Sequence, residues 1–227
     1  MVMYEQKINT LERIMVTYNK GCKIDLQAQE LNYILTCPDD VKAGEKLPLI
    51  VFLHGAGERG DDIRTVQIYC VPKLFVNDQN YHGLRAYTLS PQCPHDSTWI
   101  DYKRELMALI DSVINENSID PDKVSLCGIS MGGFGTWEMA MTYSSRFYKI
   151  APLCGGGMNW RAWSLKMPIR VFHGRRDDVV PICQSEAMVN SVKQQGGRVE
   201  FTIYDDLSHN CWDRAFEKTD LIEWLVD

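Results

Sequence analysis

With 227 residues, 45% hydrophobic and 24% charged, the chain has the make-up of a soluble globular protein, and one α/β domain can take all of it (1–227). Its 24 Lys and Arg against 30 Asp and Glu give a net charge of −6, with no basic cluster, which excludes a nucleic-acid partner. No apolar run approaches the roughly 20 residues that span a bilayer, and residues 1–7 lack a signal peptide's apolar core, so no membrane partner and a cytoplasmic location are expected.

Two strands are expected first, around residues 13–18 and 31–37, before Pro38-Asp39-Asp40 breaks the chain. They would form an antiparallel edge. Leu49-Ile50-Val51-Phe52-Leu53 is a continuous apolar run, as suits a parallel strand covered on both faces. It ends in the glycine-punctuated loop His54-Gly55-Ala56-Gly57-Glu58-Arg59-Gly60-Asp61-Asp62. Residues 63–85 are expected to hold one short helix and a surface loop, and 86–90 another strand. Residues 101–117 read as a helix, because Leu106, Leu109, Ile110, Val113 and Ile114 recur at i, i+3, i+4, i+7 and i+8.

A short β-leaning run, Lys123-Val124-Ser125-Leu126, then leads into Gly128-Ile129-Ser130-Met131-Gly132, and Thr136-Trp137-Glu138-Met139-Ala140-Met141 can be helical. G-x-S-x-G between a strand and a helix is a nucleophile elbow. The sharp turn pushes a serine hydroxyl clear of the backbone, and the flanking glycines avoid collision with strand and helix. A further strand is expected near 148–153, then a loop through Gly155-Gly156-Gly157, Trp160 and Trp163. A strand at 169–172 ends in His173-Gly174. Pro181 opens a helix that Gly196-Gly197 closes. The last strand is 199–204 and the closing helix 212–225. Strands alternating with helices indicate one doubly wound, mostly parallel sheet with helices on both faces: an α/β fold without a large cap.

A serine hydroxyl needs a base near neutrality, so histidine is the first candidate. Of His54, His82, His95, His173 and His209, the last follows the final strand and comes after the elbow. In a parallel sheet the loops after the strands share one edge, so His209 can reach Ser130. A carboxylate must then orient His209. Asp177 and Asp178 follow another parallel strand, while Asp205 and Asp206 lie on the histidine's own loop. An oxyanion hole needs two N–H donors. Met131 would supply one and Ala56 the other, with Gly57 as the alternative to Ala56.

These stretches resemble a compact bacterial carboxylesterase of the α/β-hydrolase superfamily. The nearest group is the esterase and "predicted peptidase" set related to polyhydroxybutyrate depolymerases, feruloyl esterases and phospholipase/carboxylesterases. The resemblance covers roughly residues 30–227 and rests on Leu53–Asp61, Ser90–Pro94, Gly128–Gly133, Ile150–Gly156, His173-Gly174-x-x-Asp177-x-x-Val180-Pro181 and His209-x-x-Trp212. It implies that Ser130, Asp177 and His209 are catalytic. Arg175-Arg176 departs from the milder residues expected there.

Glu58 and Arg59 are expected to brace the oxyanion loop as an ion pair, with substrate contact as the alternative. Trp137 and Trp224 are assigned to the core. Trp99, Trp160, Trp163 and Trp212 lie in or beside loops at the site edge, and each is either core or a candidate for an aromatic substrate wall. The eight cysteines lack zinc-ligand spacing and are expected mostly reduced and buried. No cofactor and no metal are called for. The reading is a monomeric or homodimeric serine carboxylester hydrolase for small, medium or aryl acyl esters. A peptidase of the same fold and a catalytically silent binding protein are the alternatives.

Overall fold

The computed structural model describes residues 16–23 (backbone), 30–78 and 81–227. Its strands are β1 (Val16–Lys23), β2 (Glu30–Thr36), β3 (Leu47–Leu53), β4 (Tyr87–Pro91), β5 (Ile119–Ile129), β6 (Ile150–Leu153), β7 (Ile169–Gly174) and β8 (Val199–Tyr204). They form one sheet in the order β1-β2-β4-β3-β5-β6-β7-β8. β1 pairs antiparallel with β2, and β2 antiparallel with β4; all other pairs are parallel. The antiparallel edge is therefore as expected, although residues 13–15 of its first strand lie outside the described residues.

The alternation along β3 divides two cores. Leu49, Val51 and Leu53 face one layer, with Leu126, Trp137 and Val171. Ile50 and Phe52 face the other, with Cys127, Ile129 and Phe172. Helices α1 (Cys70–Asn77), α2 (Lys103–Glu116), α3 (Met131–Thr142), α4 (Cys183–Gln194), α5 (Trp212–Lys218) and α6 (Leu221–Val226) cover the faces. α2, α3 and α4 contribute Leu106, Trp137 and Met188 to the first core. α1, α5 and α6 contribute Phe75, Phe216 and Ile222 to the second. No helix among the described residues is long and apolar enough to cross a membrane.

Three expectations are corrected. The closing helix is two, because Thr219 is extended (φ −129°, ψ 175°). Its hydroxyl donates to Ala215 O (2.6 Å) and accepts from Leu221 N–H (3.2 Å), so one side chain ends α5 and opens α6. Residues 63–85 hold the expected short helix, α1, but what flanks it is not all loop: a 3₁₀ turn (Ile63–Ile68) precedes α1, and among the described residues another (Tyr81–Gly83) follows it. The elbow helix starts at Met131, directly after the serine, despite three glycines in its first five residues.

Trp160 and Trp163 lie on a 3₁₀ turn (Asn159–Ser164) tied to α3 by charge. The buried Glu138 carboxylate accepts from Arg161 (2.8 Å) and Lys103 (3.0 Å). Both cations stay partly exposed, so removing the acid leaves them partly solvated. Glu138→Ala should cost about 2 kcal/mol, less than a fully buried pair. Urea unfolding checks this, and no loss of stability would show that the triad of charges is idle.

Candidate active site

The elbow exists because three glycines let backbones touch and a fourth admits a side chain. A Cβ on Gly132 would fall inside the Leu53 carbonyl, and one on Gly133 inside the Leu153 carbonyl. One on Gly128 would strike Gly132 O, and one on Gly135 would stand 2.6 Å from Trp99 Cβ. α3 is thus wedged between the ends of β3 and β6, and this packing overrides glycine's poor helix propensity. Ser130 takes the strain: it has φ 53° and ψ −116°. Its N–H is fixed on Leu153 O (3.0 Å) and its carbonyl on Phe134 N–H (3.1 Å).

His209 lies on the loop after β8, and Asp177 on the loop after β7. His209 Nε2 is 2.9 Å from Ser130 Oγ, and His209 Nδ1 is 2.8 Å from Asp177 Oδ2. Asp177 Oδ1 accepts the N–H groups of Val179 (2.9 Å) and Val180 (2.8 Å). Its carboxylate is fully buried, while His209 stays partly exposed. The other aspartates go elsewhere. Asp178 is exposed, Asp206 holds Arg214 (2.7 Å), and Asp205 pairs with Arg175. The basic pair 175–176 therefore serves the surface: Arg175 takes Asp205, and Arg176 donates its N–H to Leu207 O (3.0 Å). A Cβ on Gly174 would overlap the Ser208 carbonyl, so the end of β7 presses directly on the His209 loop.

The remaining histidines are engaged. His95 and His82 lie on the surface, on Asp96 (3.1 Å) and stacked on Tyr81 (4.1 Å). His54 is buried at the end of β3. Its Nε2 accepts Cys93 N–H (2.9 Å), so Nδ1 carries the proton and donates to Gly55 O (2.6 Å). Burial pushes its pKa down to about 4.

Ala56 opens a 3₁₀ turn (Ala56–Glu58), and Met131 opens α3. N–H groups at a helix start have no acceptor within the helix. The loop passes close to the serine: a Cβ on Gly55 would stand 3.7 Å from Ser130 Cβ. A side chain on Gly57 would meet nothing within 4 Å, so sterics do not demand a glycine there. The expected Glu58–Arg59 ion pair is replaced by two separate braces. Arg59 donates to Ala56 O (3.0 Å) and Ser97 O (3.3 Å). Glu58 tucks its carboxyl toward His54 Nδ1 (3.8 Å), where burial raises its pKa. Gln92 donates to Glu58 O (2.9 Å) and Asp62 O (3.0 Å), tying the loop to the end of β4.

The tryptophans divide differently from expectation. Trp99 is fully buried and donates to His54 O (3.0 Å), so it supports the loop from below and is no substrate wall. Trp160 and Trp163 are 72% and 62% exposed on their surface turn. A small apolar cavity of about 290 Å³ beside the elbow is lined by Thr98, Ile100, Met131 and Phe134, and by neither of them. Trp212 alone of the four meets the site, edge-on to His209 (5.4 Å) and to Tyr69 (6.5 Å). Thr98, Ile100, Phe134 and Tyr69 were not singled out from sequence, because loop and helix-start positions carry no periodic signal. Cys154, Asp177 and His209 are the one possible metal-ligand group among the described residues, with ligand atoms within 4.8 Å of one another. Asp177 and His209 already use those atoms on each other, so the group reads as the lining of the carboxylate.

The sheet order, the elbow after β5 and the helices on both faces define an α/β-hydrolase fold. Residues 84–222 match the phospholipase/carboxylesterase family, and the chain belongs to it. It is similar to the crystal structure of a thermostable esterase, with TM-score 0.81 and 30% identity over 93% of this chain and 62% of that one. Carboxylesterase SOBER1 of Arabidopsis thaliana is 24% identical over 71% of this chain and 82% of its own. The bifunctional acetylxylan esterase/xylanase XynS20E of Neocallimastix patriciarum is 29% identical over 50% of this chain. The chain spans only 16% of that last protein's length.

A pH prediction follows from His54. Its pKa lies below the unfolded value of 6.5, so the unfolded chain binds more protons between pH 6.5 and 4. Stability from this group is complete above pH 6.5 and falls by about 1.4 kcal/mol per unit below it. Urea midpoints between pH 7 and 4.5 should drop, and His54→Gln should flatten the slope. Equal slopes in both proteins would show that His54 charges freely.

Proposed function

We propose that the chain is a serine carboxylester hydrolase acting through Ser130, His209 and Asp177. The observation that carries this is His209, bonded at one nitrogen to the strained serine and at the other to a buried carboxylate. In this reading His209 Nε2 takes the Ser130 proton as Oγ attacks the ester carbonyl. The developing oxyanion accepts from the N–H groups of Ala56 and Met131. His209 then returns the proton to the departing alcohol, and water repeats the sequence on the acyl-enzyme. Asp177 holds Nδ1 protonated and balances the transient imidazolium.

The substrate proposal is an ester of a small, medium or aryl acid. A cavity of about 290 Å³ sits at the low end for ligand pockets. Its lining is apolar and adjoins Met131, the residue after the nucleophile. The leaving alcohol must lie on the histidine side, where Trp212 and Tyr69 offer ring edges. A short or flat acyl group fits such a wall, and a palmitoyl chain overruns it.

A fluorophosphonate should add one covalent mass on the peptide holding Ser130, and Ser130→Ala should be inactive. Asp177→Asn keeps the shape but favours the wrong imidazole tautomer, a loss of about 10⁴-fold in kcat. Asp178, Asp205 and Asp206 should each tolerate the same change with far smaller loss. Labelling at another residue, or a crippling Asp178→Asn beside an active Asp177→Asn, would refute the assignment.

The specificity expectation is read from kcat/KM for acetyl, butyryl, hydroxycinnamoyl and palmitoyl esters, beside an arylamide of one of those acids. Palmitoyl should be poorest, and the amide more than about tenfold below its ester, roughly 1.4 kcal/mol in the transition state. A palmitoyl optimum, or an amide rate within that factor, would overturn it.

A further inference from the structure

His173 ends β7, is fully buried, and has no part in the proposed mechanism. Its Nε2 is 3.1 Å from Asp177 Oδ2 and 2.9 Å from Val180 O. Both are acceptors, so Nε2 carries a proton. Its Nδ1 is 2.8 Å from Ser185 Oγ on α4, and Ser185 Oγ is 2.8 Å from Gly155 O. Whichever way that hydroxyl points, the consequence at Nε2 is the same. The Nε2–H itself is bonded to Val180 O, and Asp177 Oδ2 lies beside it. Oδ2 accepts from His209 Nδ1–H and Oδ1 takes two backbone N–H groups, so the buried carboxylate meets three donors, one of them the N–H of Val180, whose carbonyl His173 holds.

We propose that His173 is a positioning residue for the acid: its Nε2–H holds Val180 O and so fixes the turn whose Val179 and Val180 N–H groups aim the Asp177 carboxylate at His209 Nδ1. The inference rests on the Ser130–His209–Asp177 reading and adds a residue to it. A carboxylate is planar and turns about one bond, so the turn that holds Oδ1 also sets where Oδ2 aims. His173 fixes it from the strand side, the rigid side, while His209 approaches from a loop. The backbone geometry reinforces this. The next residue, Gly174, packs against the Ser208 carbonyl, so the end of β7 sets both the acid's angle and the histidine loop's distance. Through Ser185 and Gly155 the same imidazole also reaches the loop that packs on Gly133 of the elbow helix, where a Cβ on Gly155 would stand 2.6 Å from the Gly133 carbonyl carbon.

The test compares His173→Phe, His173→Asn and His173→Gln. Phe keeps the ring volume without an N–H. Gln carries an amide N–H to about the reach of Nε2, and Asn stops short of it. With a butyryl ester, His173→Phe and His173→Asn should lose about 10-fold in kcat, the worth of one buried hydrogen bond to a carbonyl. KM should move less than about threefold, because His173 touches no substrate. His173→Gln should recover kcat to within about threefold of wild type. The low-field proton resonance of His209 Nδ1–H should persist in wild type and His173→Gln and be lost or shifted upfield in the other two. If His173→Phe does not fold, the Gln and Asn pair carries the test. Equal kcat and equal spectra for those two overturn the proposal, as does a rise in KM without a fall in kcat. The underlying reading fails separately: a wild type that is not labelled at Ser130 removes the nucleophile, and the resonance still reports whether His173 orients Asp177.

Discussion

A missing methyl group at Gly132 is the constraint on which the site depends. Because no Cβ stands there, the start of α3 lies against the Leu53 carbonyl at the end of β3. Two consequences follow. Ser130 is forced into positive φ, with its hydroxyl lifted off the turn. And the loop that continues from Leu53, carrying Ala56, is brought beside that hydroxyl. An alanine would separate helix from strand by the size of one methyl, and Ser130 and the loop would part together. Strain of this kind costs on the order of 1–3 kcal/mol and persists only where the surroundings over-determine it. Here Gly128, Gly133 and Gly135 supply that over-determination from three further sides.

The second requirement is that loops at the carboxyl edge of the sheet stay still. Loops without regular structure are held by side chains. Gln92 and Arg59 do this for residues 54–62, each by donating to backbone carbonyls. Neither contact is an ion pair in the usual sense, so salt screens them little. The same logic explains why Trp99 is buried: its N–H closes the His54 carbonyl, which no strand partner reaches.

Much of this was legible in the sequence, and the reasons differ by element. The buried strands were legible because runs such as Leu49–Leu53 have no other home than a covered sheet. The elbow was legible because G-x-S-x-G with a strand before it leaves few conformations. His209 was the base candidate by topology, since only loops after strands share the site edge. The break at Thr219 was hidden, because the apolar stripe of residues 212–225 continues through it while one hydroxyl ends the helix. The tryptophans stayed open between core and pocket wall for a related reason. Composition says that an aromatic ring near a loop has two places to go, and only packing decides between them: Trp99 turned inward, and Trp160 and Trp163 turned to solvent. The cavity residues Ile100 and Phe134 had no pattern to betray them.

The two His-Gly pairs carry the last step. Each ends a parallel strand, His54-Gly55 on β3 and His173-Gly174 on β7. Both histidines are buried, and as candidates for the base both lost to His209. Yet each does the same work one layer down. The imidazole has hydrogen-bonding atoms at both ends of a flat, rigid ring, so it can bridge two loops that no strand connects. His54 joins its own turn at Gly55 to Cys93, and His173 joins the Asp177 loop to Ser185 on α4. The glycine that follows lets a foreign backbone or side chain close in: Ser130 beside Gly55, and Ser208 on Gly174. A strand end built this way delivers rigidity and close approach at one point. The pair on β3 applies it to the loop bearing Ala56, and the pair on β7 to Asp177 and His209. A side chain at Gly174 would separate what His173 has fixed, so that pair has to be read as one unit, whereas a Cβ on Gly55 would meet Ser130 Cβ only at 3.7 Å, an ordinary contact.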